Sequence, residues 1–171
     1  MLNENELINE PAADGNFMFG RDGNSVSVIT YHHTDSTTAE SAIARFKLVG
    51  VQVSAHFMVA NDNIYCCVNT DDTAYSNGVW QSNLESVSIE HVGIWLNGFR
   101  DDGVIANSAR LTAWLRSLYP IATPIRHRDV YPTVCPGDLP VEEIWQKASD
   151  ILNPPAAPSP IPATPAPVIP A

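Results

Sequence analysis

Three residues of the chain have the chemical types and the surroundings of ligands to one zinc ion. His127 and Cys135 stand eight positions apart in the segment HRDVYPTVC, which Pro136 and Gly137 close. Upstream, a run rich in β-branched residues ends at His32 in the segment TYHHT. Two imidazoles and one thiolate leave the fourth position of a tetrahedral zinc open, as in catalytic sites and unlike structural ones. The pattern therefore predicts a metal hydrolase that holds one Zn2+.

Strand geometry decides which of the two adjacent histidines is the ligand. Successive side chains of a strand point to opposite faces, so only one of His32 and His33 can join a given site. We choose His32. His127 follows a short apolar stretch, 121–125, which could be a strand that delivers it. Taken singly, a buried cysteine or a hydrogen-bonded structural histidine is the commoner role; the three residues together favour a metal.

Glu90 is the candidate for proton transfer at this metal. It is the last residue of the segment SVSIE. In this segment Val87 and Ile89, which point to the opposite face of the strand, are apolar. Burying a carboxylate without a partner costs several kcal/mol, so its face of the strand should open onto something polar. A general acid–base group beside a zinc-activated water meets that requirement. The alternative is an ordinary acid on a solvent-facing strand.

The elements that must position these residues alternate between strand and helix. Stretches rich in β-branched or alternating residues predict strands at 25–31, 53–59, 64–68 and 86–96. Apolar residues at helical spacing predict helices over 37–47, from about Ile105 to a point before Pro120, and from about Pro140 to Leu152. Residues 60–63 read as the turn of a hairpin. The predicted fold class is α/β, with a single central mixed β-sheet flanked by about three helices.

The length of 171 residues allows one domain and an appendage. We expect an acidic N-terminal segment at 1–15, a catalytic domain at 16–153 and a Pro/Ala-rich linker or tail at 154–171. The last segment, PPAAPSPIPATPAPVIPA, favours extended polyproline conformation and is typical of a semi-rigid spacer. A spacer suggests a further module beyond it, although a tail that simply ends is the alternative.

Charge and cysteine content exclude several classes of function. Nine basic residues against 19 acidic ones give a net charge of −10, which disfavours nucleic acid and anionic membranes as partners. The N-terminus is acidic and lacks the apolar stretch of a secretory signal, and nothing approaches the roughly 18 apolar residues of a membrane span. Three cysteines cannot form a disulfide framework. We expect Cys66 and Cys67 to be small core residues.

Several blocks in order resemble one known family. They are TYHHT, the SAHF of 54–57, the SVSIE that ends at Glu90, and HRDVYPTVCPGD. Over roughly 16–145 the chain resembles the type 2 N-acetylmuramoyl-L-alanine amidases, a superfamily that includes the peptidoglycan recognition proteins. The resemblance implies the fold, zinc at His32, His127 and Cys135, and activation or orientation of water by Glu90. It also implies the cleaved bond, the amide between N-acetylmuramic acid and L-alanine in peptidoglycan.

The resemblance also implies a role for Thr133. The chain departs from the family pattern at two places. Thr133 stands where family members carry Lys or Thr near the oxyanion; an uncharged hydroxyl should stabilise this charge less than Lys, or Thr133 is only a turn residue. Ala55 replaces a tyrosine found in some branches. The frequent WHAG segment is replaced by YSNG at 75–78, which lacks the histidine. We expect His56 to be a core residue.

The favoured interpretation is a bacteriolytic phage endolysin or a bacterial autolysin that degrades the cell wall as a monomer. The Pro-rich segment would then lead to a C-terminal wall-binding module. Without a signal peptide, we expect cytoplasmic accumulation with holin-type release, or otherwise an extracellular enzyme. A wall-recycling amidase is the enzymatic alternative. A non-catalytic peptidoglycan-binding recognition module is the alternative of another class, and the presence of Cys135 as the third ligand argues against it.

Overall fold

The computed structural model describes residues 2–154, which form a central β-sheet with helices on both faces. The eight strands are β1 (Ile8–Asn9), β2 (Phe17–Met18), β3 (Val28–His33), β4 (Phe57–Val59), β5 (Ile64–Cys66), β6 (Thr73–Ala74), β7 (Ser86–His91) and β8 (Pro124–Arg126). The five α-helices are α1 (Ala39–Phe46), α2 (Trp80–Glu85), α3 (Asp102–Leu118), α4 (His127–Val130) and α5 (Val141–Leu152). A 3-10 turn covers Glu4–Glu6. None of these helices is long and apolar enough to cross a membrane.

Six strands form the main sheet in the order β1-β5-β4-β7-β3-β8. Strands β4, β7, β3 and β8 run parallel to one another, whereas β5 is antiparallel to β4 and parallel to β1. The sheet is therefore mixed, as the sequence predicted. Strands β2 and β6 form a separate antiparallel pair. Because β3, β7 and β8 are parallel neighbours, their carboxyl ends meet at one edge of the sheet.

One face of the sheet carries the larger apolar core. Every second residue of β3 and β7 points to this face and packs with α3 and α5. The fully buried contributors are Ile29, Tyr31, Val87, Ile89, Ile105, Leu111, Leu115 and Ile144. Helix α3 begins where the Asp101 side chain accepts hydrogen bonds from the backbone N–H groups of Gly103 and Val104, and it ends before Pro120. This core holds the central strands in position against α3 and α5.

The opposite face is polar at its centre. Thr30 and His32 of β3 and Ser88 and Glu90 of β7 occupy the alternate positions, and His32 pairs in register with Glu90. Only Met58 of β4 continues the apolar pattern there, in a second cluster with α1. A row of polar side chains across the middle of a buried sheet is costly unless the groups have partners. This face is therefore where the site lies.

The structure differs from the sequence-based expectations at several element boundaries. Strand β7 ends at His91, not at residue 96, since Gly93 turns the chain at a φ of 135° and Trp95 enters the core with no exposed surface. Helix α2 and the β2–β6 pair were not expected. The N-terminal segment packs on the domain, with Leu2 buried and β1 paired to β5. The Pro/Ala-rich segment lies almost wholly outside the described residues.

Candidate metal centre

The structure brings His32, His127 and Cys135 together at the carboxyl end of the parallel strands. One potential ligand atom from each lies within 4.8 Å of the other two. Nδ1 of His32 is 3.9 Å from Sγ of Cys135, and the two imidazole rings have centroids 4.5 Å apart. Atoms about 2.1 and 2.3 Å from one zinc ion can be at most roughly 4.4 Å apart. The distance between Nδ1 of His32 and Sγ of Cys135 is shorter than this maximum.

Neighbouring strands deliver the two histidines. His32 lies in β3, whereas His127 is the first residue of α4, directly after β8, which pairs with β3. The sequence suggested a strand at 121–125 before His127. The structure has a shorter strand there, β8, which begins at Pro124. His33 points away from the site, but its backbone N–H donates to Sγ of Cys135 at 3.4 Å. The backbone of the strand that carries His32 thereby helps to hold Cys135, the third candidate ligand.

A loop closed by backbone hydrogen bonds carries Cys135. The N–H of Arg128 donates to the carbonyl of Cys135, and the Arg128 guanidinium donates to the carbonyl of Gly137, both at 2.9 Å. Gly137 has a φ of +65°, and a Cβ at this position would overlap the carbonyl oxygen of Trp95. That carbonyl accepts from the N–H of Asp138 at 2.6 Å. The PGD sequence therefore lets the loop dock on the segment after β7.

Burial sets the protonation states of the three candidate ligands. It lowers the pKa of His32 well below its usual value and lowers that of His127 as well. Both rings are therefore neutral near pH 7, as a metal ligand must be. Burial, followed by the charge of Glu90, raises the pKa of the Cys135 thiol to about 12. A bound cation at this position would favour the thiolate.

Glu90 occupies the position that the sequence assigned to a proton carrier. It pairs in register with His32 on the adjacent strand, so both side chains project from the same face. Its Oε2 is buried and has no hydrogen-bond partner among the described residues. Burial raises the pKa of the carboxyl to about 7. An unpartnered carboxyl oxygen on the face of the three ligands fits a site that holds a metal and a water molecule.

The donor set suits zinc in particular. Two imidazoles and one thiol are borderline to soft ligands, which zinc accepts in tetrahedral coordination, whereas magnesium and calcium prefer oxygen donors. Three protein ligands leave one coordination position for water or substrate. The residues present therefore fit one zinc ion of the catalytic kind.

Thr133 lies in the loop that carries Cys135. Its Oγ1 accepts a hydrogen bond from the backbone N–H of Cys135 at 3.2 Å. This hydrogen bond lies within a turn. Because Oγ1 is the acceptor in it, the hydroxyl hydrogen of Thr133 can still donate to another group. Of the two other positions that the sequence singled out, Ala55 is fully buried, and His56 is buried against Arg21 and Ser88, away from the three ligands.

One residue that sequence reasoning missed contacts both histidines. Asn77 is fully buried, and its side-chain oxygen lies 3.0 Å from Nε2 of His32. Its backbone oxygen lies 3.2 Å from Nε2 of His127. The only signal in the sequence was the replacement of WHAG by YSNG at 75–78, which drew attention to a lost histidine and not to the asparagine.

A groove of about 440 Å³ is lined in part by His127, one of the three candidate ligands. Its aromatic lining consists of Tyr75, Trp80 and Tyr131. Trp80 is 48% exposed and Tyr131 is 43% exposed, and the Tyr131 ring stacks on His127 with centroids 5.6 Å apart. Exposed aromatic faces beside a reactive centre provide contact surface for a substrate.

The fold and the three converging side chains are compatible with a hydrolase that binds one metal ion. The sequence matches the family described as N-acetylmuramoyl-L-alanine amidase over residues 22–138. The chain therefore belongs to the N-acetylmuramoyl-L-alanine amidase family, as the sequence blocks predicted, and it is an enzyme of the amidase class. No curated protein sequence matches the chain significantly.

Solved structures share the fold over most of their length. A mutant endolysin from Bacillus subtilis is 21% identical with a TM-score of 0.69, and the match covers 86% of this chain and 99% of that one. The endolysin N-acetylmuramoyl-L-alanine amidase LysCS from Clostridium intestinale is 22% identical with a TM-score of 0.66, covering 84% and 95%. The endolysin of a Thermus scotoductus bacteriophage is 21% identical with a TM-score of 0.61, covering 80% and 92%. The predicted fold class is thus confirmed.

Proposed function

We propose that this peptidoglycan amidase uses one zinc ion, held by His32, His127 and Cys135, to hydrolyse the amide between N-acetylmuramic acid and L-alanine. The observation that carries the proposal is the convergence of these ligand atoms within 4.8 Å of one another. The family match supports the choice of bond. When bound, the zinc ion supplies a Lewis acid that polarises the scissile carbonyl and lowers the pKa of a water molecule.

Glu90 moves the proton in this proposal. Its Oε2 is buried and has no hydrogen-bond partner among the described residues, and burial raises the pKa of the carboxyl, which favours a group that both accepts and releases a proton. It takes a proton from the attacking water and delivers it to the nitrogen of the leaving L-alanine. Proton delivery makes the amine a competent leaving group, so the C–N bond can break.

Thr133 and the aromatic groove orient the substrate. The free hydroxyl hydrogen of Thr133 would donate to the carbonyl oxygen as negative charge develops there, with a smaller effect than a cationic side chain. The faces of Tyr75, Trp80 and Tyr131 would contact the muramyl peptide on the side of His127. These contacts place the scissile amide over the three ligands.

The likeness to endolysin structures supports a lytic role at the cell wall. We propose a monomeric enzyme whose Pro/Ala-rich segment at 154–171 joins it to a wall-binding module, since a net charge of −10 gives no attraction to an acidic wall. Cytoplasmic accumulation followed by holin-type release remains the proposed route.

The test is the release of new amino groups from purified peptidoglycan by the wild type and by Cys135→Ser. The assay is run with and without a chelator and with zinc added back. We expect the wild type to release amines without new reducing sugar ends, the chelator to abolish release and zinc to restore it. Cys135→Ser should lose nearly all activity. A wild type that binds wall fragments but releases no amine even with zinc is a recognition module, and the proposal is then wrong.

A further inference from the structure

Asn77 makes a polar contact with each of the two histidines of the candidate metal centre. Its Oδ1 lies 3.0 Å from Nε2 of His32, and its backbone carbonyl oxygen lies 3.2 Å from Nε2 of His127. Both atoms of Asn77 are acceptors only, so each histidine must donate from Nε2. A neutral imidazole with its hydrogen on Nε2 has its lone pair on Nδ1. The Nδ1 of His32 is the atom that faces Sγ of Cys135, at 3.9 Å.

The Asn77 amide is oriented with its nitrogen toward hydroxyl groups and its oxygen toward His32. Its Nδ2 donates to the hydroxyls of Ser82 and Ser86, each at 2.9 Å. Its backbone N–H donates to Oδ1 of Asn83 at 2.8 Å. With Nδ2 directed at these two hydroxyls, Oδ1 is the amide atom that faces His32. The side chain is fully buried, so water does not compete for these bonds.

We propose that Asn77 is a positioning residue that fixes both metal-binding histidines in the Nε2–H tautomer and so presents both Nδ1 atoms to one zinc ion. The inference rests on the proposed metal centre and deepens it. Outer partners of this kind hold the ring orientation of a ligand, and their loss typically weakens metal affinity about 10–100-fold. A purely structural Asn77 would stabilise the fold without affecting tautomers or metal affinity specifically.

Three variants distinguish an Asn77 that positions the histidines from an Asn77 that only stabilises the fold. Asn77→Ala removes the acceptor for His32 but keeps the backbone oxygen for His127. Asn77→Asp keeps an acceptor for His32, and the hydroxyls of Ser82 and Ser86 can rotate to donate to the second carboxylate oxygen. Ser82→Ala is the matched control, because it deletes one hydrogen bond of the same amide and leaves the contact with His32 intact.

The first measurement is zinc affinity by competition with a chromophoric chelator, with folding checked by circular dichroism. We expect Asn77→Ala to bind zinc about 10–100-fold more weakly than the wild type. Asn77→Asp and Ser82→Ala should stay within a few-fold of it. Equal affinity of Asn77→Ala and the wild type, or equal losses in Asn77→Ala and Asn77→Asp, would overturn the proposal.

The second measurement reads the tautomers directly in the metal-free proteins by nitrogen-15 NMR of the imidazoles. In the wild type and in Ser82→Ala we expect the Nε2–H form at both His32 and His127. In Asn77→Ala, His32 should become a mixture of tautomers, whereas His127 should keep the Nε2–H form. An Nδ1–H form at His32 in the wild type overturns the proposal, and this result stands even if Asn77→Ala does not fold.

The two measurements also separate this inference from the proposed function. A wild type that binds no zinc refutes the metal centre and, with it, the role of Asn77 toward the metal. A wild type that binds zinc but releases no amine refutes only the hydrolytic function. In that case the affinities and tautomers still decide the role of Asn77.

Discussion

At the scale of the residue, the candidate site contains a carboxyl group whose buried surroundings disfavour its charged form. Glu90 has a buried oxygen that finds no hydrogen-bond partner within residues 2–154, and burial raises the pKa of its carboxyl to about 7. Such a group is costly to the fold, because the desolvated carboxylate receives no compensating hydrogen bond from the described residues. An enzyme tolerates this cost where the group must exchange a proton during the reaction.

Replacing Glu90 by glutamine should therefore separate catalysis from stability. We expect Glu90→Gln to lower kcat about 10²–10⁴-fold, because the amide cannot carry the proton. Zinc affinity should stay close to that of the wild type, and the melting temperature should not fall. Steady-state amine release and metal titration measure both quantities. Glu85→Gln, a neighbouring acid at the end of α2, is the control and should keep full activity. Retained activity in Glu90→Gln would remove Glu90 from the mechanism.

At the scale of the element, the position of Cys135, the third candidate ligand, depends on how the loop after α4 packs against the segment after β7. The loop needs a left-handed residue at Gly137 and a close approach to the Trp95 carbonyl. Both requirements fall on one glycine, two positions after Cys135. The position of the cysteine is therefore set by contacts outside its own loop.

A pair of glycine substitutions tests this docking. Gly137→Ala should destabilise the protein by about 2–5 kcal/mol, from left-handed strain of roughly 1–2 kcal/mol and overlap worth about 1–3 kcal/mol. Gly98→Ala is the matched control, since Gly98 has a similar φ of +79° but open space around its Cβ position. Gly98→Ala should lower the free energy of unfolding only by the left-handed strain. Denaturant unfolding of the metal-free proteins measures the difference. Equal losses in the two variants would show that the approach to Trp95 is unimportant.

At the scale of the whole molecule, histidines buried in neutral form couple stability to pH. His56 is fully buried, and burial together with the adjacent Arg21 guanidinium lowers its pKa to about 3. In the unfolded chain it would titrate near 6.5. As pH falls below about 6.5, the unfolded state takes up a proton that the folded state does not. The contribution of His56 to stability is therefore full above that pH and is lost as pH falls toward about 3.

The expected effect is a slope of about 1.4 kcal/mol per pH unit from this one residue between pH 6 and 4. His56→Gln should be less stable at neutral pH, but its free energy of unfolding should fall less steeply in this range. Urea unfolding of the metal-free proteins at several pH values gives both slopes. The comparison of slopes does not depend on the difference in absolute stability. An unchanged slope would contradict the assignment of a strongly lowered pKa to His56.

Much of the fold was predictable because its signals are local. The alternation in β3 and β7 separates Tyr31 and Ile89 from His32 and Glu90, and this fixes which side chains share a face. Proline ends α3, and apolar spacing marks α1 and α5. Strand ends and the short elements β2, β6 and α2 were not predictable, because a strand or helix of a few residues exists only through its partners.

The sequence by itself determined the chemistry available at the site: two imidazoles that follow predicted strands, a thiol in a turn, and a carboxyl group within a predicted strand. Only the tertiary structure decided which ring nitrogens of the two histidines contact Asn77, because these contacts span 45 positions of the chain to His32 and 50 positions to His127. Spacing along a sequence reports side-chain direction within one strand or helix. It carries no information on a hydrogen bond between segments that meet only when the sheet and its loops have assembled.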